Sequence, residues 1–146
     1  MTNSTQLLSS ANPRTRKALF CGWAMYVISF ALPFGDGFEF EWGYQPFWAY
    51  FSGIFSFSDA GFASWALPTN LSNIAMILLP ILVAAISARK LAVIILLGGL
   101  HSLRFLQLIG ENGIDHWDFF PAYYVWSLSF FVSGVALWRA PTLRAA

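Results

Sequence analysis

His101, Arg104 and Gln107 interrupt an apolar run between Leu91 and Ile109 at intervals of three. Residues three apart share a helix face, and Gly98 continues the stripe. A permanent guanidinium beside an imidazole is suited to holding an anionic or carbonyl group. Two neighbouring runs carry polar residues at a comparable depth, Asn70 with Asn73 and Tyr123 with Ser127, and each pair is close enough in phase to share a face. By helix rise, Arg104 lies about 9 Å and His101 about 13 Å from the near end of its run. His101, Arg104, Gln107, Asn70, Asn73, Tyr123 and Ser127 are therefore the candidate ligand-binding set, a polar pocket shared by three helices. Ionisable groups inside hydrocarbon are costly and mark function by default. A plainer use fits the same residues. Arg104 can extend toward Glu111, Asp115 or Asp118, and His101 can bond Asn73 or Ser127 as interhelical glue.

The elements that must position these residues follow from composition. Of 146 residues, 58% are hydrophobic, 18% aromatic and 10% charged. A soluble domain is roughly 25% charged, so this chain has too few ionic side chains to coat a water-facing surface. It is also far too apolar to stay disordered. One cysteine, Cys21, excludes an internal disulfide framework and a cysteine-based zinc site. A net charge of +1 with no basic run interleaved with aromatics argues against a nucleic-acid partner.

The expected fold is all-α, a polytopic four-helix up-down transmembrane bundle. Its spans are 18–34, 65–88, 91–109 and 119–138, within a single domain over 14–146 that follows a flexible cytoplasmic tail at 1–13. Trp65, Trp117, Tyr123, Tyr124 and Trp138 lie at or near span ends, where amphipathic rings favour the headgroup layer. Arg89 and Lys90 are expected to form the whole turn between the second and third spans. Charge sorts sharply between the connections. Arg14, Arg16, Lys17, Arg89, Lys90, Arg139 and Arg144 fall on one side. Asp36, Glu39, Glu41, Asp59, Glu111, Asp115 and Asp118 fall on the other. The positive-inside rule then predicts a bacterial inner-membrane protein with both termini cytoplasmic. A cleaved signal peptide is the competing reading of the first span, but Ala31-Leu32-Pro33-Phe34-Gly35 offers no small-x-small cleavage site.

The long connection, 35–64, is expected outside. Phe38, Phe40 and Trp42 alternate with Glu39 and Glu41, which predicts a short extended piece. Beyond Gly43, the uncharged stretch from Pro46 to Phe57 places Phe47, Tyr50, Phe51 and Ile54 at helical spacing. It is too short to span, so it is interfacial or re-entrant. Phe47, Trp48 and Phe51 form either an aromatic lid in the headgroup layer or a docking face for another membrane protein. Ser129, Ser133 and Ala136 make a small-residue stripe on the fourth span, opposed to its Tyr123/Ser127 side, that suits an additional helix from outside.

Other chemistry is thinly represented. Glu111, Asp115, His116 and Asp118 have metal-compatible donors on a short loop, and Asp118 reads equally as a helix N-cap before Pro121. His101 is the one histidine within a span, so bis-histidine haem ligation is not available. No nucleophile elbow or phosphate loop is present. No cofactor is expected. The leading expectation is a non-enzymatic accessory subunit that meets membrane lipids and other membrane proteins through its helices and aromatic segment. A small transporter or binding protein for an anionic or lipid-like ligand, and a membrane immunity protein, are the alternatives.

Overall fold

The computed structural model describes residues 13–35, 40–42, 44, 60–111 and 121–140. These are overwhelmingly helical, in agreement with the all-α class: α1 is Pro13–Ser29, α2 Ala60–Ile77, α3 Leu79–Ala85, α4 Ala88–Glu111 and α5 Pro121–Trp138. A three-residue strand pair joins them, β1 at Pro33–Gly35 and β2 at Phe40–Trp42, antiparallel with Phe34 opposite Glu41. Of the extended piece expected at 38–42, residues 40–42 form β2, and Phe38 and Glu39 lie outside the described residues. Phe47, Trp48 and Phe51 lie outside the described residues, as do residues 1–12 of the tail.

Proline sets most of the boundaries. α1 and α5 both open on proline, whose fixed φ suits a first turn and whose missing N–H costs nothing there. Helix α1 therefore begins at Pro13 rather than near Ala18, and the basic residues Arg14, Arg16 and Lys17 belong to its first turns. The expected second span is two helices. Pro80 has no N–H to give the Met76 carbonyl, so the chain turns at Leu78 before α3 begins. Arg89 and Lys90 are not the turn before α4. The chain reverses at Ile86 and Ser87, and both bases lie in the first turn of α4. A cation there opposes the helix dipole, so their location is set by something other than helix electrostatics.

The helices pack as antiparallel neighbours: α1 on α5, α5 on α4, and α4 on α2. Heptad-like spacing explains the inward face of α1, where Leu19, Gly22, Tyr26 and Ser29 are buried. A Cβ at Gly22 would overlap Ser133 Oγ and come within 3.3 Å of the Ser129 carbonyl, so this glycine lets α1 lie directly on α5. Gly98 does the same for α4, because its added Cβ would collide with Ser72 of α2. The apolar core of Leu91, Ile95, Met76, Phe130 and Leu137 fills the centre.

This register puts the α1 start, the α4 start and the α5 end at one pole. Arg14, Arg16, Lys17, Arg89, Lys90 and Arg139 are all exposed there. Glu41 and Glu111, the acids whose backbone is described, belong to elements at the opposite pole. Among the described residues, no helix is long and apolar enough to cross a membrane. For three of the runs local features account for this: α1 has 17 residues and opens on charge, the second run is divided at Leu78, and α5 is rich in tyrosine, tryptophan and serine.

Candidate functional site

The polar residues singled out in the sequence are distributed over two layers and one outer surface. The inner layer centres on Asn73 of α2, which is 2% exposed. Its Oδ1 accepts from Tyr26 Oη of α1 at 3.0 Å and from Trp126 Nε1 of α5 at 2.9 Å. Tyr26 also lies 3.3 Å from the Asn73 carbonyl. One amide oxygen thereby ties three helices together. Around it, Tyr26, Phe130 and Trp126 meet edge to face, with ring centroids 6.0 and 5.0 Å apart, an arrangement aromatic quadrupoles favour.

The second layer is one helical turn nearer the acidic pole. Thr69 Oγ1 of α2 and His101 Nδ1 of α4 are 2.6 Å apart. Tyr123 Oη of α5 donates to the Ser102 carbonyl of α4. His101 thus finds a partner in Thr69, not in Asn73 or Ser127. Asn70 is buried too, on the face of α2 that carries Asn73. Ser127 is buried, and its hydroxyl has no hydrogen-bond partner among the described residues.

Arg104, one turn further along α4, is exposed, whereas His101 is half-buried against α2. The helix of Gln107 is described but its side chain lies outside the described residues. Ser129 and Ser133, expected to receive an outside helix, are fully buried, and the neighbour on that face is α1 of the same chain, through Gly22.

Four contributors were not identified from sequence: Tyr26, Thr69, Trp126 and Ser102. A usable signal was the spacing of Gly22, Tyr26 and Ser29, a small and polar stripe along the first apolar run. Ser72 also bridges helices, its hydroxyl 2.8 Å from both the Pro68 and the Ile94 carbonyls, so its one proton serves one of them at a time.

A cavity of about 730 Å³ opens at the basic pole between the start of α1 and α3. Arg16 and Lys17 lie at one side, with Leu19, Phe20 and Trp23 further along α1 and Leu79, Pro80 and Val83 opposite. Trp23 Nε1 is buried without a hydrogen-bond partner. Among the described residues no three of histidine, cysteine, aspartate and glutamate converge as metal ligands would. Compared with known proteins, the chain matches no family model, no curated protein and no solved structure.

Proposed function

We propose that this chain is a bilayer-embedded helical bundle of the bacterial inner membrane, with both termini cytoplasmic, that works as a non-enzymatic accessory subunit. The observation that carries the reading is the polarity of its surfaces. Ser129, Ser133, Asn70 and Ser72 are 0–1% exposed in the interior, whereas Phe20 is 69%, Ile81 67% and Leu100 57% exposed. Ile74, Ile77, Leu97, Val93, Leu128 and Val135 continue this outer apolar belt. Among the described residues, charge on the helices is confined to the two poles, the bases at one and Glu111 at the other, and to Arg104. Water would penalise so broad an apolar surface, while hydrocarbon favours it. Bilayer helices associate through small residues and interhelical hydrogen bonds, which is the contact chemistry of this interior. The same inward-facing polar residues dilute the apolarity of each helix taken alone. Spanning then belongs to the bundle, with α2 and α3 acting in series.

The charge pattern supports the orientation, since arginine and lysine at the start of α4 gain from the positive-inside preference what they lose to the helix dipole. The accessory role draws on the apolar belt and on polar interior groups engaged in joining helices. The transporter or ligand-binding reading has less support: His101 is held by Thr69, and Arg104 faces outward rather than lining an interior pocket.

The test combines two measurements on the full chain expressed in bacteria. Alkaline extraction should leave it in the membrane fraction, and reporter fusions at both termini should report the cytoplasm. Native mass measurement after mild extraction should then give a particle heavier than the chain and its lipids. Release at alkaline pH, or a periplasmic terminus, overturns the membrane layout. A lone chain at native expression level overturns the accessory role.

A further inference from the structure

We infer that the cavity between α1 and α3 is a binding site for an anionic glycerophospholipid of the cytoplasmic leaflet. The inference rests on the membrane reading above, and it adds a specific ligand. Helices α1 and α3 are not among the closely packed pairs of the bundle. Nearer the acidic pole the Tyr26–Asn73 bond ties α1 to α2, and toward the basic pole the gap between α1 and α3 opens into about 730 Å³. That volume lies in the range of small-molecule sites, about 300–1,000 Å³.

The lining is graded in a way that matches one phospholipid. Arg16 and Lys17 provide two exposed cations at the mouth, and basic pockets between helices on the cytoplasmic side suit anionic headgroups. Arg16, Phe20 and Trp23 follow at intervals of four and three, so one face of α1 runs from charge to indole. By helix rise this covers about 10 Å, comparable with a polar headgroup layer of roughly 5–8 Å. Phe20, Leu79 and Val83 supply an apolar wall for an acyl chain. Trp23 contributes the decisive group. Its indole N–H is a donor only, it is buried, and it lacks an acceptor among the described residues. An ester carbonyl below a phosphate held by Arg16 and Lys17 would supply that acceptor. A soluble anion would satisfy the cations but not the indole or the apolar wall.

The experiment uses the purified full chain in mild-detergent micelles, titrated with dioleoyl phosphatidylglycerol or dioleoyl phosphatidylcholine. Bound lipid is counted by native mass spectrometry, and Tm is followed in parallel. The expected result is a single retained phosphatidylglycerol and a raised Tm, with phosphatidylcholine at least tenfold weaker. Each base removed should weaken phosphatidylglycerol roughly fivefold, so R16Q/K17Q should lose most of the preference. R89Q/K90Q removes equal charge at the same pole outside the cavity and should keep it. V83W should reduce binding with both cations intact. Equal binding of the two lipids, equal loss in both charge pairs, or a full Tm shift with inorganic phosphate alone overturns the site. A chain that does not reconstitute into phosphatidylglycerol vesicles overturns the membrane reading and the lipid site together, an outcome distinct from reconstitution without preference.

Discussion

The two halves of the bundle are joined by different physics. Toward the acidic pole, polar bonds link the helices: Tyr26 and Trp126 to Asn73, Thr69 to His101, Tyr123 to Ser102. Toward the basic pole the joints are mainly steric, although Ser72 of α2 also bonds the Ile94 carbonyl of α4. Gly22 admits Ser133, Gly134 admits Leu96, and Leu91, Ile95 and Leu137 fill the middle. Ser133 Oγ and Trp23 Nε1 in that half are buried without partners among the described residues, as is Ser127 Oγ in the other half. Hydrogen bonds are directional and fix the rotation of each helix, whereas close packing fixes only distance. The polar half is therefore tied by bonds that link α1, α2, α4 and α5, and the basic half leaves α1 and α3 apart.

The most disruptive way to break this contrast is to enlarge a glycine at a joint. Gly98→Leu would drive a side chain into Ser72, whose Cβ is held by the backbone of α2. Overpacking costs roughly 1–3 kcal/mol and sometimes more, and displacement of Ser72 would also disturb its bond to Ile94. The expected loss is about 3 kcal/mol, measured by denaturant unfolding in micelles. Stability within 1 kcal/mol of the parent would show that the α2–α4 approach is looser than described. Next comes Asn73→Leu, which strands two buried donors, Tyr26 Oη and Trp126 Nε1. Interhelical bonds average about 0.6 and reach about 1.7 kcal/mol in bilayer proteins, so the sum should be near 2 kcal/mol. The Trp126 indole N–H signal should shift at the same time.

Much of the helical frame is legible in the sequence because apolar run length is a strong, cumulative signal. Four runs became the helical bundle, and only local events moved their ends. Pro13 and Pro121 started helices, and Pro80 divided one, through a single missing N–H. The polar network was half legible. Asn73, His101 and Tyr123 are conspicuous in apolar surroundings, but a contact needs a partner and a rotation, and sequence supplies neither. Tyr26 and Trp126 read as apolar rings, although each carries one polar atom that decides its place. The burial of Ser129 and Ser133 against α1 was illegible because a small stripe suits an internal or an external neighbour equally well.

Two smaller effects sharpen the contrast. A double-mutant cycle of Thr69→Val and His101→Phe isolates the second polar layer. The coupling should be about 0.6–1.7 kcal/mol, and a value near zero would make His101 an incidental neighbour of Thr69. The same treatment of the basic half should give almost nothing. Ser133→Ala removes a buried hydroxyl that makes no hydrogen bond among the described residues, so no partner is stranded and the desolvation cost of the hydroxyl disappears. The hydroxyl oxygen is also the Ser133 side-chain atom next to Gly22, so its loss leaves a gap of one atom there. The stability change should lie within about 0.5 kcal/mol of zero or be slightly favourable. A loss above 1 kcal/mol would mean that Ser133 holds α1 through a bond, and the basic half would then be joined by the same chemistry as the other.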